Sequence, residues 1–263
     1  MSGVEVMGGE GLERFRIAGL PPNFYYVADF ISVEEEASIL QKIPAQRWTH
    51  LTHRRLQAHP STLTKNNTLL AAPLPQWLTS PMLSRFEKLG LFRDTPHREP
   101  NHVLINEYGS GEGIMAHEDG GAYARVVATV SLGGSVCLDV TSKVGGSSEE
   151  KGDDGSGIGE KANGTNGTDR KYSIPTRILQ EPRSLLITTG PAYEDLLHGI
   201  SPVEVDDHLD AETVANWSLL GDSHVFEDAG GRNERATRIS LTYRDVLKVS
   251  SAASKVLGGL GRR

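Results

Sequence analysis

The stretch "HVLINEYGSGEGIMAHEDGGAY", residues 102–123, decides the class of fold that we expect for this chain. A β-favouring run leads into glycine-rich turns, and further runs of similar character follow it. These runs are "ARVVATVSL" (124–132), "SVCLDV" (135–140), "SLLITT" (184–189) and "RISLTYRDV" (238–246). Short strands separated by Gly and Pro turns predict a β-sandwich or barrel.

The segment before this region has a different texture. "FYYVADFISVEEEASILQKI" (24–43) predicts a strand and then a helix, because Ser32 and Glu35 form a capping-box pattern. Residues 73–92 predict a short amphipathic helix. The expected fold class is therefore mainly β with N-terminal α/β elements.

We expect one domain over residues 20–250, because 263 residues with 37% hydrophobic content suffice for one sizeable core. A flexible N-terminus (1–19) and a C-terminal tail (251–263) would flank this domain. Residues 142–173 are rich in Gly, Ser and charge, which predicts a disordered loop. Residues 204–236 form a second insertion, an acidic segment with enough apolar residues for partial order.

Composition restricts where the chain works. It has no apolar run of eighteen residues and no basic-then-apolar leader, so we expect no membrane association and no secretion. Its single cysteine, Cys137, excludes an intramolecular disulfide, and the apolar neighbours favour a buried structural thiol over a nucleophile. These features predict an intracellular protein of the cytoplasm, the nucleus or both.

The net charge of −7 is unevenly distributed. The acidic segment 204–236 holds nine acidic residues against Arg232 and Arg235, and so accounts for all of it. The body of the protein is close to neutral, which permits a polyanion to bind locally without requiring it.

His117 and Asp119 carry the first indication of chemistry. They lie two positions apart, so an extended backbone projects both side chains in one direction. With a distant histidine they make the 2-His-1-carboxylate triad of non-haem Fe(II) oxygenases, although a polar loop can hold such a pair by chance. His198, after the strand-like run "SLLITT", is the preferred third ligand over His208 and His224 of the acidic segment.

The run "RISLTYRDV" predicts an anion site. Period-two alternation places Arg238, Ser240, Thr242 and Arg244 on one face of the strand. An open sheet could show this face to water, but in a closed sandwich the arginines would need anions, and a dicarboxylate matches the guanidinium fork. The same alternation places Asn106 and Tyr108 together as hydrogen-bond donors.

With these residues the chain resembles the AlkB family of Fe(II)- and 2-oxoglutarate-dependent dioxygenases, over about residues 20–140 and 174–248. The family's Asn-x-Tyr, His-x-Asp, distal His and Arg-x5-Arg pattern is complete here. The resemblance implies a double-stranded β-helix (jelly roll) with an N-terminal lid. It further implies that His117, Asp119 and His198 bind Fe(II), and that O2 and 2-oxoglutarate are consumed.

The resemblance also implies how the cosubstrate is held. Arg238 would pair with the distal carboxylate of 2-oxoglutarate, and Arg244 would lie near its keto-acid end. Asn106 and Tyr108 would hydrogen-bond the cosubstrate, and Ser240 would contact it where other branches of the family have Asn.

Alkylated DNA or RNA is the substrate that the resemblance implies, by oxidative demethylation or hydroxylation. "HLTHRRLQAHP" (50–60) occupies the lid region, where His53, Arg54 and Arg55 are either phosphate contacts or an exposed basic turn. Trp48 and Tyr123 are either platforms for a flipped base or packing residues. Two alternatives stay open: a hydroxylase of proteins or small molecules, and a non-catalytic scaffold, against which the complete residue set argues.

Overall fold

The computed structural model describes residues 11–143, 174 and 176–250. The strands are β1 (Phe24–Val27), β2 (Thr49–Leu51), β3 (Arg54–His59), β4 (Thr68–Leu70), β5 (His102–Tyr108), β6 (Ile114–His117), β7 (Tyr123–Gly133), β8 (Val136–Ser142), β9 (Thr176–Gln180), β10 (Leu185–Thr189), β11 (Leu196–Ile200), β12 (Val205–Asp206), β13 (Asn233–Glu234), β14 (Arg238–Val246) and β15 (Lys248–Ser250). The α-helices are α1 (Val33–Lys42), α2 (Gln76–Thr79), α3 (Met82–Lys88), α4 (Gly190–Asp195) and α5 (His224–Asp228), and short 3-10 turns lie at Glu13–Phe15, Ala45–Arg47 and Trp217–Leu219.

Two antiparallel sheets form the body of the protein. The seven-stranded sheet has the order β1-β10-β7-β14-β5-β3-β2, and the four-stranded sheet has the order β6-β11-β8-β9. One apolar cluster, with Tyr26 and Val140 at its centre, fills part of the space between them. This arrangement confirms the mainly β prediction with N-terminal α/β elements, and its sheets are those of a jelly roll.

The N-terminal helices cover the outer face of the seven-stranded sheet. The capping box of α1 is confirmed: Ser32 and Glu35 each accept a hydrogen bond from the other's backbone N–H. Arg85 of α3 donates to both carboxylate oxygens of Glu35 at 2.8 Å and so joins the two helices. Phe86 of the same helix is buried against the sheet in the largest apolar cluster.

The single helix predicted over residues 73–92 is wrong. The structure has α2 and α3 instead, separated by Ser80 and Pro81, and Ser80 has an extended backbone. Proline lacks the N–H that a continuous helix needs and disfavours helical geometry in the residue before it. Within the described ranges, no helix is both long and apolar enough to cross a membrane.

The segments outside the two sheets differ in how much of them the structure describes. Residues 1–10, most of the predicted loop 142–173 and the tail 251–263 lie outside the described residues, so these predictions and the domain boundaries stay predictions. Residues 11–19 belong to the segment predicted to be flexible. The structure gives this part a 3-10 turn and buries Ile17 completely.

The acidic segment 204–236 packs onto the four-stranded sheet. Phe226 lies in an apolar cluster with Cys137 and Leu179, and the Asn216 side chain bonds both backbone groups of Leu179. The predicted burial of Cys137 is confirmed, and this burial raises the pKa of its thiol well above the usual range, which makes it a poor nucleophile.

Asp206 and Arg235 form the segment's buried ion pair, with side chains only 3% and 4% exposed. The guanidinium donates to both carboxylate oxygens, at 2.6 and 3.0 Å. Replacing Asp206 by Ala should lower the free energy of unfolding by about 3–5 kcal/mol, because it leaves a buried guanidinium without its counter-ion. Denaturant titration measures this, and Asp207→Ala is the matched control.

The Asp207 side chain is 68% exposed, so its loss should change the free energy of unfolding by less than about 0.5 kcal/mol. Equal destabilisation by both variants would contradict a special role for the buried pair.

The free energy of unfolding should fall in weak acid, because His59 and His102 are buried. Burial, chiefly, lowers the pKa of His59 and of His102 to about 4, assisted by Arg47 and Arg244 respectively. The unfolded chain therefore binds more protons than the folded chain between pH 6.5 and about 4. Each histidine contributes stability that is present above pH 6.5 and falls by about 3 kcal/mol toward pH 4.

Chemical denaturation at pH 7 and pH 5 checks this prediction. His59→Gln should reduce the dependence of the unfolding free energy on pH, because the replacement does not titrate. An unchanged pH dependence in that variant would show that His59 protonates equally in both states.

Candidate metal centre and cosubstrate pocket

A cavity of about 280 Å³ lies between the two sheets. All eight residues that the sequence predicts for the site line it: Asn106, Tyr108, His117, Asp119, His198, Arg238, Ser240 and Arg244. For the residues of β5 and β14, the predicted alternation explains why they share this side of the sheet. Leu104 and Thr242 of the same two strands also line this cavity. The polar face of β14 thus looks inward and not to solvent.

Strand pairing brings His117 and His198 together. The two are direct partners between β6 and β11, and their rings lie 4.5 Å apart. Gly199 permits this approach, because a Cβ there would lie 2.9 Å from the backbone nitrogen of Ala116. With Asp119, the two imidazoles place three possible ligand atoms within 4.8 Å of one another.

Hydrogen bonds orient the His117 side chain and the turn that follows Asp119. Nδ1 of His117 lies 2.9 Å from the Met115 carbonyl oxygen, which can only accept, so Nδ1 carries the proton and Nε2 keeps its lone pair. The Tyr193 hydroxyl donates to the carbonyl of Gly120 at 2.6 Å. A neutral imidazole with a fixed tautomer is the form that binds a metal ion.

The electrostatic setting of His198 favours the same form. Burial lowers its pKa, His117 and Arg244 lower it further, and the Asp119 carboxylate partly opposes them. Nη2 of Arg244 contacts Oδ1 of Asp119, and the guanidinium lies over the Tyr123 ring at 4.8 Å from its centre. The two side chains of this ion pair are 8% and 7% exposed, so one carboxylate oxygen is held in place.

Among the residues that the structure describes, the buried Arg238 has no carboxylate partner. Its side chain contacts Ser131 Oγ at 2.9 Å and Gln180 Oε1 at 3.0 Å through Nη2 alone. Its Nε is buried and has no hydrogen-bond partner in the part of the chain that the structure describes. Burial lowers the pKa of Arg238 to about 10, so the group is still charged at neutral pH. An uncompensated buried charge is costly, and here it points to a missing anionic partner.

Sequence reasoning missed several residues that shape this cavity. Gln180 and Tyr193 line it, and Arg54 reaches it from β3 to donate to Asn106 Oδ1 at 3.2 Å. One signal was available for Gln180: alternation in "RILQ" places it on the same face as the buried Ile178. Tyr193 lies in α4, and Arg54, which the sequence suggested only as a phosphate contact, lies in β3. Their positions at the cavity depend on packing between distant elements, which no local pattern predicts.

The predicted lid region forms the β2–β3 hairpin. His53 lies exposed at its turn, whereas Arg55 is paired with Glu107 at 2.6 Å. The Arg55 guanidinium also covers the Trp48 ring at 4.5 Å from its centre, and Trp48 packs against the core. The structure therefore places Trp48 as a packing residue, and it leaves His53 as the open member of the basic turn.

A larger cleft of about 1310 Å³ lies on the other side of the four-stranded sheet. Asp139 and Thr141 line it, whereas the alternate residues Leu138 and Val140 line the inner cavity. It contains none of the eight predicted residues, so the inner cavity is the candidate site despite its smaller volume.

The donor set suits Fe(II) and a diacid. Two imidazoles and one carboxylate are the ligands of a non-haem iron site with open positions, and a buried arginine lies at the other end of the cavity. The profile of the 2OG-Fe(II) oxygenase superfamily matches residues 23–244. The chain therefore belongs to this superfamily and is a 2-oxoglutarate-dependent dioxygenase, in a family that uses Fe(II), 2-oxoglutarate and O2.

Individual proteins of the AlkB type are similar to this chain. The chain is 35% identical over 244 residues to the probable RNA/DNA demethylase ALKBH6 of Danio rerio, covering 92% of this chain and 93% of that protein. It is 25% identical to the Mus musculus tRNA (carboxymethyluridine(34)-5-O)-methyltransferase ALKBH8, covering 89% of this chain but only 32% of that protein. The solved structure of OsALKBH1 aligns with a TM-score of 0.46 and 14% identity, covering 86% of this chain and 99% of that chain. The chain is thus an AlkB-type oxygenase similar to ALKBH6.

Proposed function

We propose that this protein is an oxidative demethylase of alkylated nucleic acid. In this proposal His117, Asp119 and His198 hold the iron, and Arg238 holds the distal carboxylate of 2-oxoglutarate. Arg244, Asn106, Tyr108 and Ser240 complete the cosubstrate pocket. When bound, iron and 2-oxoglutarate supply the oxidation of a substrate C–H bond by O2, with release of succinate and carbon dioxide.

The protein's own residues bind, orient and exclude water. The bond between His117 and the Met115 carbonyl, and the bond from Tyr193 to the Gly120 carbonyl, help to hold His117 and the turn after Asp119 in place. Apolar side chains, among them Leu104, Val127 and Leu186, line part of the cavity and limit the access of water. An N-methyl group hydroxylated there would collapse to formaldehyde and the demethylated amine.

The observation that carries the proposal is that one cavity holds both a group of possible metal ligands and a buried arginine. Three side chains that can bind a metal ion converge at one place. Arg238 lies in the same cavity as a buried cation, with no counter-ion in the described part of the chain. A divalent ion and a dicarboxylate complete both sites together. A non-catalytic scaffold would gain nothing from burying a charged arginine beside three possible metal ligands.

Nucleic acid as the substrate has separate support. The zebrafish relative is named as a probable RNA/DNA demethylase and is similar over nearly its whole length. The hairpin beside the cavity presents His50 and His53 to solvent, and Arg54 reaches from it into the site. Such a hairpin can meet a phosphate backbone beside a base held in the pocket.

Formaldehyde release tests the substrate directly. The protein, supplied with Fe(II), ascorbate and 2-oxoglutarate, should release formaldehyde from N-methylated DNA or RNA oligonucleotides and not from unmethylated ones. Binding of the same oligonucleotides should weaken as salt rises, because phosphate contacts release counter-ions. Succinate formation without formaldehyde from any oligonucleotide would refute the nucleic-acid assignment while leaving the oxygenase intact.

Two observations favour a second candidate function, hydroxylation of a protein or small molecule. Arg55 is neutralised by Glu107, and the acidic segment 204–236 accounts for the chain's net charge. Both features weaken attraction to a polyanion. Mass spectrometry of peptides after turnover, with a gain of 16 mass units as the positive signal, separates the two candidates.

A further inference from the structure

Within the described residues, Gln180 is the hydrogen-bond partner that joins the buried Arg238 to the four-stranded sheet. Gln180 ends β9 of the four-stranded sheet, and Ser131 lies in β7 of the seven-stranded sheet. The Arg238 guanidinium donates to both of them, and the Ser131 hydroxyl donates to Gln180 Oε1 at 3.2 Å. The three side chains are 0–3% exposed.

This triangle determines how the Gln180 amide points. Two donors, the Ser131 hydroxyl and the Arg238 guanidinium, both require an acceptor, so the oxygen faces them. The amide nitrogen therefore faces the other way, and its residue lines the inner cavity. Within the described ranges, that nitrogen donates no hydrogen bond to another residue.

Arg238 also has hydrogen-bond donors that the described residues do not use. Only Nη2 is used by Ser131 and Gln180, and the buried Nε has no partner among the described residues. The arginine thus keeps donors for an anion, while the amide oxygen prevents it from turning away. A carboxylate placed between the guanidinium and the amide nitrogen would satisfy both.

We propose that Gln180 is a positioning residue of the cosubstrate pocket: its oxygen holds Arg238, its nitrogen donates to the distal carboxylate, and it thereby sets selectivity for a dicarboxylic 2-oxo acid. This inference rests on the proposed function, because it assumes that Arg238 receives 2-oxoglutarate. It predicts a preference for 2-oxoglutarate over 2-oxopentanoate, which has the same five-carbon chain without the second carboxylate.

Calorimetric titration of the full-length protein loaded with Mn(II) provides the test without turnover. Gln180→Met should weaken 2-oxoglutarate binding roughly tenfold, the effect of losing hydrogen bonds to a charged group, and should leave 2-oxopentanoate within about twofold. Gln180→Glu should weaken 2-oxoglutarate more, to roughly a hundredfold, because the new carboxylate neutralises Arg238 and repels the ligand.

Gln57→Met is the matched control. Gln57 is as buried as Gln180, at 1% exposure, but it bonds the Pro44 carbonyl and His59 away from the cavity. Its replacement should leave the ratio of the two ligand affinities unchanged, even if it lowers stability. Circular dichroism of each variant establishes that it is folded before titration.

The outcomes distinguish failure of the role proposed for Gln180 from failure of the cosubstrate assignment on which it rests. An unchanged ratio of affinities in Gln180→Met, or equal weakening of both ligands, overturns the role of Gln180. If Arg238→Met removes the preference for the diacid and Gln180→Met does not, only the inference about Gln180 fails. If Arg238→Met leaves the preference intact, the cosubstrate assignment in the proposed function fails as well.

Discussion

Replacing His117 by Ala should lower the formation of succinate from 2-oxoglutarate by about a thousandfold or more, because a bound metal contributes several kcal/mol to such reactions. His117 supplies one of three ligand atoms that lie within 4.8 Å of one another, and no other described histidine except His198 is near them. Two remaining ligands would leave the ion weakly held and open to water. The measurement is uncoupled turnover with Fe(II) and ascorbate, together with the iron content of the purified protein.

His224→Ala is the control for this experiment. The His224 side chain is 81% exposed, and its ring lies 2.9 Å from the Glu227 carboxylate, so turnover should stay within about twofold of the unaltered protein. Asp119→Ala should match His117→Ala, and it also removes the partner of Arg244. Retention of a tenth of the turnover in a folded His117→Ala variant would refute the metal assignment.

Replacing Arg238 by Met should raise the KM for 2-oxoglutarate by about a hundredfold, the cost of losing a charge-assisted pair with the distal carboxylate. The kcat at saturating cosubstrate should fall much less, because in the proposed function Arg238 holds the distal carboxylate and not the end of the cosubstrate that reacts. This split between KM and kcat is expected of a residue that binds ground state and transition state alike.

The same variant should be no less stable than the unaltered protein when 2-oxoglutarate is absent. Arg238 is a buried cation with no counter-ion among the residues that the structure describes, so an apolar side chain of similar length removes the cost of burying the charge. The rise in Tm on adding 2-oxoglutarate should shrink in proportion to the lost affinity. A marked loss of stability with an unchanged KM would show that Arg238 is structural.

Short-range patterns were sufficient for much of the fold. The five β-rich runs are strands, and the capping box at Ser32 begins a helix. The prediction of one helix over residues 73–92 was wrong at Pro81. The proline signals a break in the helix, but the prediction gave more weight to the apolar periodicity around it. The acidic segment 204–236 shows the same limit, because its packing depends on contacts between Phe226 and Cys137, which are far apart in sequence.

For the candidate site, residue type and strand alternation were sufficient to name eight residues that line one cavity. Alternation has a period of two and is decided within a single strand, so Arg238 and Arg244 could be placed on one face without any knowledge of their neighbours. The resemblance to the AlkB family added the roles expected of these side chains.

Chain composition and local periodicity alone determined that this protein has a β-rich body with one polar strand face and a His-x-Asp pair, but they left open whether that face looks inward. Only the tertiary structure decided that His198 pairs with His117, that Gln180 and Ser131 grip Arg238, and that Arg55 is neutralised. The physical reason is that these contacts depend on the register between strands distant in sequence. That register minimises the free energy of the whole packed sandwich, and no single strand carries the information.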